Sequence, residues 1–491
     1  MLVQGARCFP QKKALVYRDW STTYEGLNGM VDQTALYLKR LGVKKGERVA
    51  IYLPNIPEWP MFYYGTVRLG AIAVCIASAY KRDEVTRLAN DSLSSVLITC
   101  EELLPNVPDR KIIPHVKDIV VVERDQGLRT IVEDKRSGIK DPVRVECEGD
   151  DVATFLYTGG TTGVPKGAML THRNLLYSAQ MVCYYERTVP EDVGICFMPL
   201  NHVFGLCHIM NSMFFGCATL VLFKAFDMDA ILQSVSENKI TRFYAVPTIY
   251  IRFLNNRESK KNLKSLTYVF SAATSMPAEI VRQWGEEYRL PIHESYGMTE
   301  SASIITFNHY YRHKIGTVGV PAGLAELKLV DPEDRPVGAG EKGEIVIRSP
   351  NIMKGYFNQP DETAMAMRNG WFHSGDVGRF DEEGHLYIVD RIKDVIITGG
   401  ENVFPREVED VLYTHDCVDE CAVVGLPHPE YGEAVTAFVT LKPGKNTSEE
   451  SLILYCKEHL ARYRVPKKVN ILSSLPKSPQ GKILRRELRT K

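Results

Sequence analysis

The chain has 491 residues with 60 basic and 60 acidic side chains, so its formal net charge is zero and nothing at the whole-chain level points to a nucleic-acid or other polyanion partner. Its composition is that of an ordinary globular protein rather than a collagen, coiled coil or disordered chain, and its length predicts two or three domains. Apolar runs such as Met213 to Phe223 are too short to span a membrane, and the opening Met-Leu-Val-Gln-Gly-Ala-Arg-Cys lacks the apolar core of a secretory signal.

Residues 10–100 alternate helical and strand periodicity. Helical spacing runs from Thr23 to Leu41, Pro57 to Leu69 and Asp83 to Asp91; apolar strands run from Arg48 to Leu53 and Ala71 to Ile76. Such alternation predicts an α/β fold, a parallel-type sheet with helices on both faces. Pro105, Pro108, Pro114 and Pro142 break up residues 101–150, which read as one or two peripheral strands with loop.

The apolar strand Val152 to Leu156 then leads into Tyr157-Thr158-Gly159-Gly160-Thr161-Thr162-Gly163-Val164-Pro165-Lys166-Gly167. Glycines let backbone N–H groups close around an anion. Tyr157, Thr158, Thr161 and Thr162 bring four hydroxyls, of which those of the threonines add donors, and Lys166 adds a point charge suited to phosphate. So dense a run reads as a polyphosphate clamp, with an ordinary Gly-Thr turn between strands as the alternative, and it is not a Walker A loop. Pro165 precedes the lysine and Gly167 follows it, where that motif needs Gly-Lys-Ser/Thr opening a helix.

Downstream, the apolar run from Phe197 ends at Pro199, with His202 and Phe204 just beyond. Ligands bind at such strand ends in open α/β sheets, although a lone histidine is more often structural. Further strands are expected at Thr219 to Phe223, Phe243 to Val246 and Leu266 to Phe270, with a helix at Asp229 to Asn238. The small residues Ser271, Ala272, Ala273 and Thr274 either let a flat base lie against the backbone or simply make a tight turn before Pro277. In Glu294-Ser295-Tyr296-Gly297-Met298-Thr299-Glu300, Tyr296 offers a ring face, Thr299 a phosphate donor and Glu300 a hard oxygen ligand for Mg²⁺.

Residues 316–390 read as a β-rich subdomain. Within it Gly338-Ala339-Gly340-Glu341-Lys342-Gly343 fits a dinucleotide fingerprint but leads into a strand, so that site is rejected. Asp376, after Gly375, has the setting of a ribose-binding carboxylate or of a turn cap. Beyond Asp390-Arg391-Ile392-Lys393-Asp394 come two strand patterns, Glu420 to Val424 and Val435 to Leu441, and helices near 405–413 and 448–461, enough for a small α/β domain. The tail Pro476 to Arg486 is basic, as a solvated surface would be, and carries Lys482 after a glycine. Eleven cysteines without a Cys-x-x-Cys pair fit a reducing compartment, so a cytoplasmic location is expected.

In their order these segments resemble the adenylate-forming superfamily of acyl-CoA synthetases, peptide-synthetase adenylation domains and luciferases, over nearly the whole chain. Gly159 departs from the usual serine, a variant also found in fatty-acyl-CoA synthetases. The resemblance implies a large N-terminal ATP- and acyl-binding domain (1–390), a hinge (391–394) turning on Lys393, and a small mobile C-terminal lid (395–491). It implies nucleotide contacts from Thr158, Gly159, Gly160, Thr161, Thr162 and Lys166, from Ser271, Ala272, Ala273 and Tyr296 around adenine, and from Asp376 and Arg391 at the ribose. Catalytic roles are implied for Lys482, Thr299, Glu300 as the Mg²⁺ ligand, and His202 beside the substrate carboxylate with Phe204 at the acyl entrance. Gly399, Gly400 and Glu401 are implied at the thiol path.

The activity expected from this resemblance is that of an acid–thiol ligase. A fatty or aryl carboxylic acid and ATP give an acyl-adenylate, from which CoA displaces AMP. The expected partners are these small molecules with Mg²⁺, no nucleic acid and no transmembrane segment, with a homodimer left open. A luciferase-like oxygenase and a non-catalytic acyl- or nucleotide-binding protein are the alternatives.

Overall fold

The computed structural model describes residues 1–122, 143, 145–158, 165–256, 259–477 and 483–490. Two sheets carry the large domain. The first has the strand order Asp118–Val122, Val96–Cys100, Arg48–Ile51, Ile72–Cys75, Val152–Thr158, Lys166–Thr171, parallel except for the last pair. The second runs Ile292–Glu294, Tyr268–Ser271, Arg242–Ala245, Val193–Cys196, Thr219–Leu222, Lys13–Tyr17, Trp20–Thr23, again parallel except for the last pair. Strands such as Ile72–Cys75 and Thr219–Leu222 are buried on both faces, which is why they read as unbroken apolar runs. One hydrophobic core, including Trp59, Phe155, Phe214, Phe243 and Trp284, runs through both sheets.

The helices expected before residue 100 are present as Tyr24–Arg40, Glu58–Arg68 and Arg82–Asp91. A further helix, His172–Glu186, starts where Thr171 caps it: Thr171 Oγ1 accepts from Asn174 N, and Asn174 Oδ1 accepts from Thr171 N. The strand expected to extend from Phe197 to Pro199 ends at Cys196, and Phe204–Asn211 coils as a π-helix. The β-rich subdomain is an antiparallel sheet of Glu326–Val330, Lys342–Arg348, Phe372–Phe380 and Leu386–Arg391, so the rejected glycine fingerprint does run into a strand.

The small domain has its own five-stranded sheet and its own buried cluster around Val408, Leu412, Val423, Val439 and Leu452. Its first hairpin joins Ile396–Thr398 to Glu401–Val403 through Gly399 (φ 59°) and Gly400 (φ 83°). A two-residue loop with both φ values positive matches the twist of the strands it joins, and glycine takes that conformation at little cost. The small domain touches the large one through Arg406, whose Nη1 donates to Ser275 Oγ (2.8 Å) and to Ile388 O (2.7 Å), and through Lys342–Glu407 (2.7 Å). Among the described residues no helix is long and apolar enough to cross a membrane.

Candidate active site

The strands Val152–Thr158 and Lys166–Thr171 form an antiparallel hairpin in which Thr158 lies opposite Lys166. Gly159, Gly160, Thr161 and Thr162 lie outside the described residues, as does Lys482. In the stem, Tyr157 donates its hydroxyl to Asp91 Oδ2 at 2.6 Å.

Residues 353–357 add to the free edge of this hairpin: Met169 N donates to Gly355 O, Lys354 N to Met169 O and Phe357 N to Gly167 O. That pairing brings two residues with no motif of their own to Lys166. Its ammonium lies 5.2 Å from the Tyr356 ring centroid and ion-pairs with Glu362. Lys166 is 12% exposed and Glu362 40%, so the cation is sheltered while its partner is open to water.

Tyr356 also reaches Glu300, donating to Oε1 at 2.8 Å. Thr299–Ser301 is a single 3₁₀ turn, and Glu300 O accepts from Met353 N at 2.7 Å. Burial raises the Glu300 carboxyl above its ordinary value, and the Tyr356 hydrogen bond opposes that rise. A half-buried carboxylate whose side-chain donor is a neutral phenol has the chemistry of a hard-oxygen Mg²⁺ ligand. The preceding Gly297 is required by close approach, since a Cβ there would stand 1.8 Å from Ser303 O.

Tyr296 is buried and donates its hydroxyl to Asp376 Oδ2 at 2.7 Å across 80 positions of sequence. Asp376 faces Arg391 in the register of the β-rich sheet, with Nε 3.5 Å from Oδ1. Three residues singled out separately in the sequence thus converge. Ser271 ends its strand buried, without a partner for Oγ, and Ala273 sits at φ 70°, a conformation alanine seldom adopts. Beside Ser271 across the ladder is Glu294, buried, with Oε2 unpartnered; burial pushes its carboxyl up to about 8, against the pull of Arg406. Burial drives the neighbouring His293 the other way, down to about 4.

His202 precedes the π-helix, and its Nδ1 accepts from Phe204 N at 3.2 Å, which places the proton of a neutral ring on Nε2, the nitrogen able to donate onward. Helices of this kind are rare and concentrate at functional sites. Gly399, Gly400 and Glu401 form the exposed end of the first hairpin of the small domain, where Gly399 N donates to Tyr431 O.

The chain matches the AMP-binding enzyme family over residues 2–357 and the AMP-binding enzyme C-terminal domain over residues 407–482. It belongs to the AMP-binding enzyme family. Relatives in this adenylate-forming family include a long-chain-fatty-acid–CoA ligase of Bacillus subtilis (strain 168), 33% identical over 524 residues that cover 99% of this chain and 93% of the relative. A feruloyl-CoA synthase of Amycolatopsis sp is 34% identical over 490 residues, 99% of this chain and 97% of the relative. The crystal structure of an anthranilate CoA ligase in complex with anthranoyl-AMP superposes with a TM-score of 0.93 at 30% identity, covering 100% of this chain and 96% of that one.

Proposed function

We infer that the protein is an AMP-forming carboxylic acid–CoA ligase acting on a fatty or aryl acid. The observation that carries this reading is the linking of Lys166 to the Tyr356–Glu300 pair, with the Tyr296–Asp376–Arg391 chain starting from the same Tyr296–Glu300 segment, in a family member matched over residues 2–357 and 407–482.

In the first step a carboxylate oxygen attacks the α-phosphorus of ATP, the bond to the β-phosphate oxygen breaks, and pyrophosphate leaves. Both reactants are anionic, so the site must supply positive charge and donors. Lys166 exchanges Glu362 for the phosphates, with Thr158, Gly159, Gly160, Thr161 and Thr162 donating around them, and Lys482 brings the second cation. Thr299 donates to phosphate, Asp376 and Arg391 hold the ribose, and Ser271, Ala272, Ala273 and Tyr296 bound the adenine. His202 Nε2–H donates to the incoming carboxylate. Glu300 would hold Mg²⁺, which when bound neutralises phosphate charge.

In the second step the CoA sulfur attacks the acyl carbonyl, AMP leaves with the bonding pair, and the thiol proton is released. The acyl-adenylate is already activated, so this step is governed by positioning. Residues 391–394 act as the hinge between 1–390 and a lid of 395–491, which turns on Lys393 to exchange Lys482 for the Gly399–Glu401 hairpin. All eleven cysteines are free, which supports a cytoplasmic setting. ATP–pyrophosphate exchange over a panel of carboxylic acids, followed by CoA-dependent AMP release, tests the reading; exchange with no acid overturns it.

A further inference from the structure

The turn that joins Phe372–Phe380 to Leu386–Arg391 takes no part in the steps above, yet it carries three metal-ligating side chains, Asp381, Glu383 and His385. Its backbone is fixed locally. Asp381 N donates to His385 O at 3.1 Å, and Asp381 Oδ1 accepts from Glu383 N (3.0 Å) and His385 N (2.9 Å). Asp381 Oδ2 and Glu383 Oε2 share one cation, the Lys314 ammonium, at 2.7 and 2.8 Å. One oxygen of each carboxylate and one ring nitrogen of His385 all lie within 4.8 Å of one another.

The histidine sets this cluster apart from an ordinary surface ion pair. His385 is 1% exposed, and its Nε2 lies 3.3 Å from Arg312 O. A carbonyl only accepts, so Nε2 carries the proton, and in a neutral ring the lone pair is then on Nδ1. That nitrogen is buried without a hydrogen-bond partner, and beside it stand Asp381 Oδ1 at 3.7 Å and Glu383 Oε2 at 3.6 Å. A buried lone pair next to two carboxylates is unfavourable unless a cation lies between them. Two other buried histidines have partners for the same nitrogen. His208 Nε2 lies 2.8 Å from Glu186 Oε1 and its Nδ1 2.9 Å from Ser303 Oγ, in a network that Arg242 closes through Glu186 O (2.9 Å) and Asp192 Oδ2 (2.7 Å). His373 has Nδ1 3.0 Å from Glu344 Oε2, and Arg368 spans Glu344 and Asp334 beside it.

We propose that Asp381, Glu383 and His385 form a structural Zn²⁺ site, with the Lys314 ammonium holding the place of the ion until it binds. The separations of 3.6 and 3.7 Å are close to the edge, about 3.4 Å, of a tetrahedron whose metal–ligand bonds are roughly 2.1 Å. One imidazole with two carboxylates suits a borderline ion such as Zn²⁺, whereas Mg²⁺ and Ca²⁺ take all-oxygen sets. The bond from Nε2–H to Arg312 O is the outer contact that fixes the tautomer of a ligating histidine. Lys314 is 37% exposed, so its side chain can turn into water and leave the fourth position to a water molecule. Arg312 Nη2 also donates to Glu383 O at 3.1 Å, so the ion would stiffen a turn that already holds the 312–314 loop. Its role is stability, and the inference stands apart from the ligase reading.

The test is equilibrium dialysis of the full-length protein, first cleared with a chelator, against zinc chloride at up to about 100 µM. The protein should bind Zn²⁺ with micromolar Kd. His385→Phe, which keeps a flat ring but no ligand nitrogen, should lower the bound zinc by one ion per chain. Lys314→Met removes the competing ammonium and should tighten this site by about 10-fold. If His385→Phe fails to fold, Glu383→Gln, at a largely exposed position, decides in its place and should weaken the same site by about 10-fold or more. Zinc bound equally by the parent and by these ligand variants is adventitious and overturns the proposal. A parent protein that binds none overturns it as well, and a Kd unmoved by Lys314→Met overturns the placement of the ion.

Discussion

The nucleotide side of this site and the buried network around Arg242 are built by opposite means. On the nucleotide side, charged groups have partners they can give up: Lys166 has the half-exposed Glu362, Asp376 has a tyrosine hydroxyl and an arginine 3.5 Å away, and Glu300 has a phenol. In the buried network, Glu186, Asp192, His208 and Arg242 are none of them more than 6% exposed and are joined to one another or to backbone. Exposed ion pairs are cheap to exchange, whereas buried ones are costly to break. The first half is therefore suited to trading protein contacts for ligand contacts, and the second to holding a shape. Substitutions on the nucleotide side should change rates, and those in the buried network should change stability.

The largest expected effect falls on the second cation. Lys482→Ala should slow acyl-adenylate formation by about 1000-fold, measured as pyrophosphate exchange, while thioester formation from supplied acyl-adenylate survives. Equal loss in both assays would remove Lys482 from its assigned role.

The contrast itself can be broken by a matched pair of variants. Arg242→Ala strands Glu186 and Asp192 in the interior and should cost about 3–5 kcal/mol of stability in denaturant unfolding. Lys166→Ala leaves only a half-exposed Glu362 and should leave the unfolding midpoint almost unmoved. Its effect should instead be a rise of about 30-fold in the KM for ATP. If the two variants behaved alike in unfolding, the distinction between exchangeable and fixed halves would be lost.

A smaller effect concerns the hinge. Lys393 lies on the exposed turn Ile392–Asp394 between a strand of each domain. Lys393→Pro should slow thioester formation by about 10-fold more than adenylation; stopped-flow traces in which both steps slow equally would move the pivot elsewhere.

The smallest effect is on pH dependence, where two adjacent buried groups pull in opposite directions. Glu294 is raised from about 4.5 to about 8, so its stabilising contribution is complete below pH 4.5 and is lost as pH rises through 8. His293 is lowered from 6.5 to about 4, so its contribution is complete above pH 6.5 and is lost as pH falls through 4. Glu294→Gln stays neutral throughout. It should flatten the decline of Tm between pH 4.5 and 8 and leave the acid limb in place; a variant whose alkaline limb matches the parent would show that Glu294 does not titrate there.

Much of the nucleotide side was legible in the chain itself. Lys166, Tyr296, Glu300, Asp376 and Arg391 sit in short segments whose residue types suit phosphate, ribose and a hard cation. The strand–helix alternation gave both sheets away because each element announces its period within a few residues. The partner of Tyr157 was not legible in this way: only the fold sets Asp91 against its hydroxyl.

Tertiary structure alone decided the rest. Glu362 meets Lys166 from 196 positions away, Tyr356 meets Glu300 from 56, and Ser303 meets His208 from 95. None of these side chains stands in a local pattern that marks it. A lone glutamate or histidine on an apolar stretch reads the same in sequence whether it faces water or closes a pocket. Local periodicity and turn chemistry act over a handful of residues and so are written in the sequence. The partners of a buried charge are chosen by how distant strands and helices pack, and that is settled only when the chain has folded.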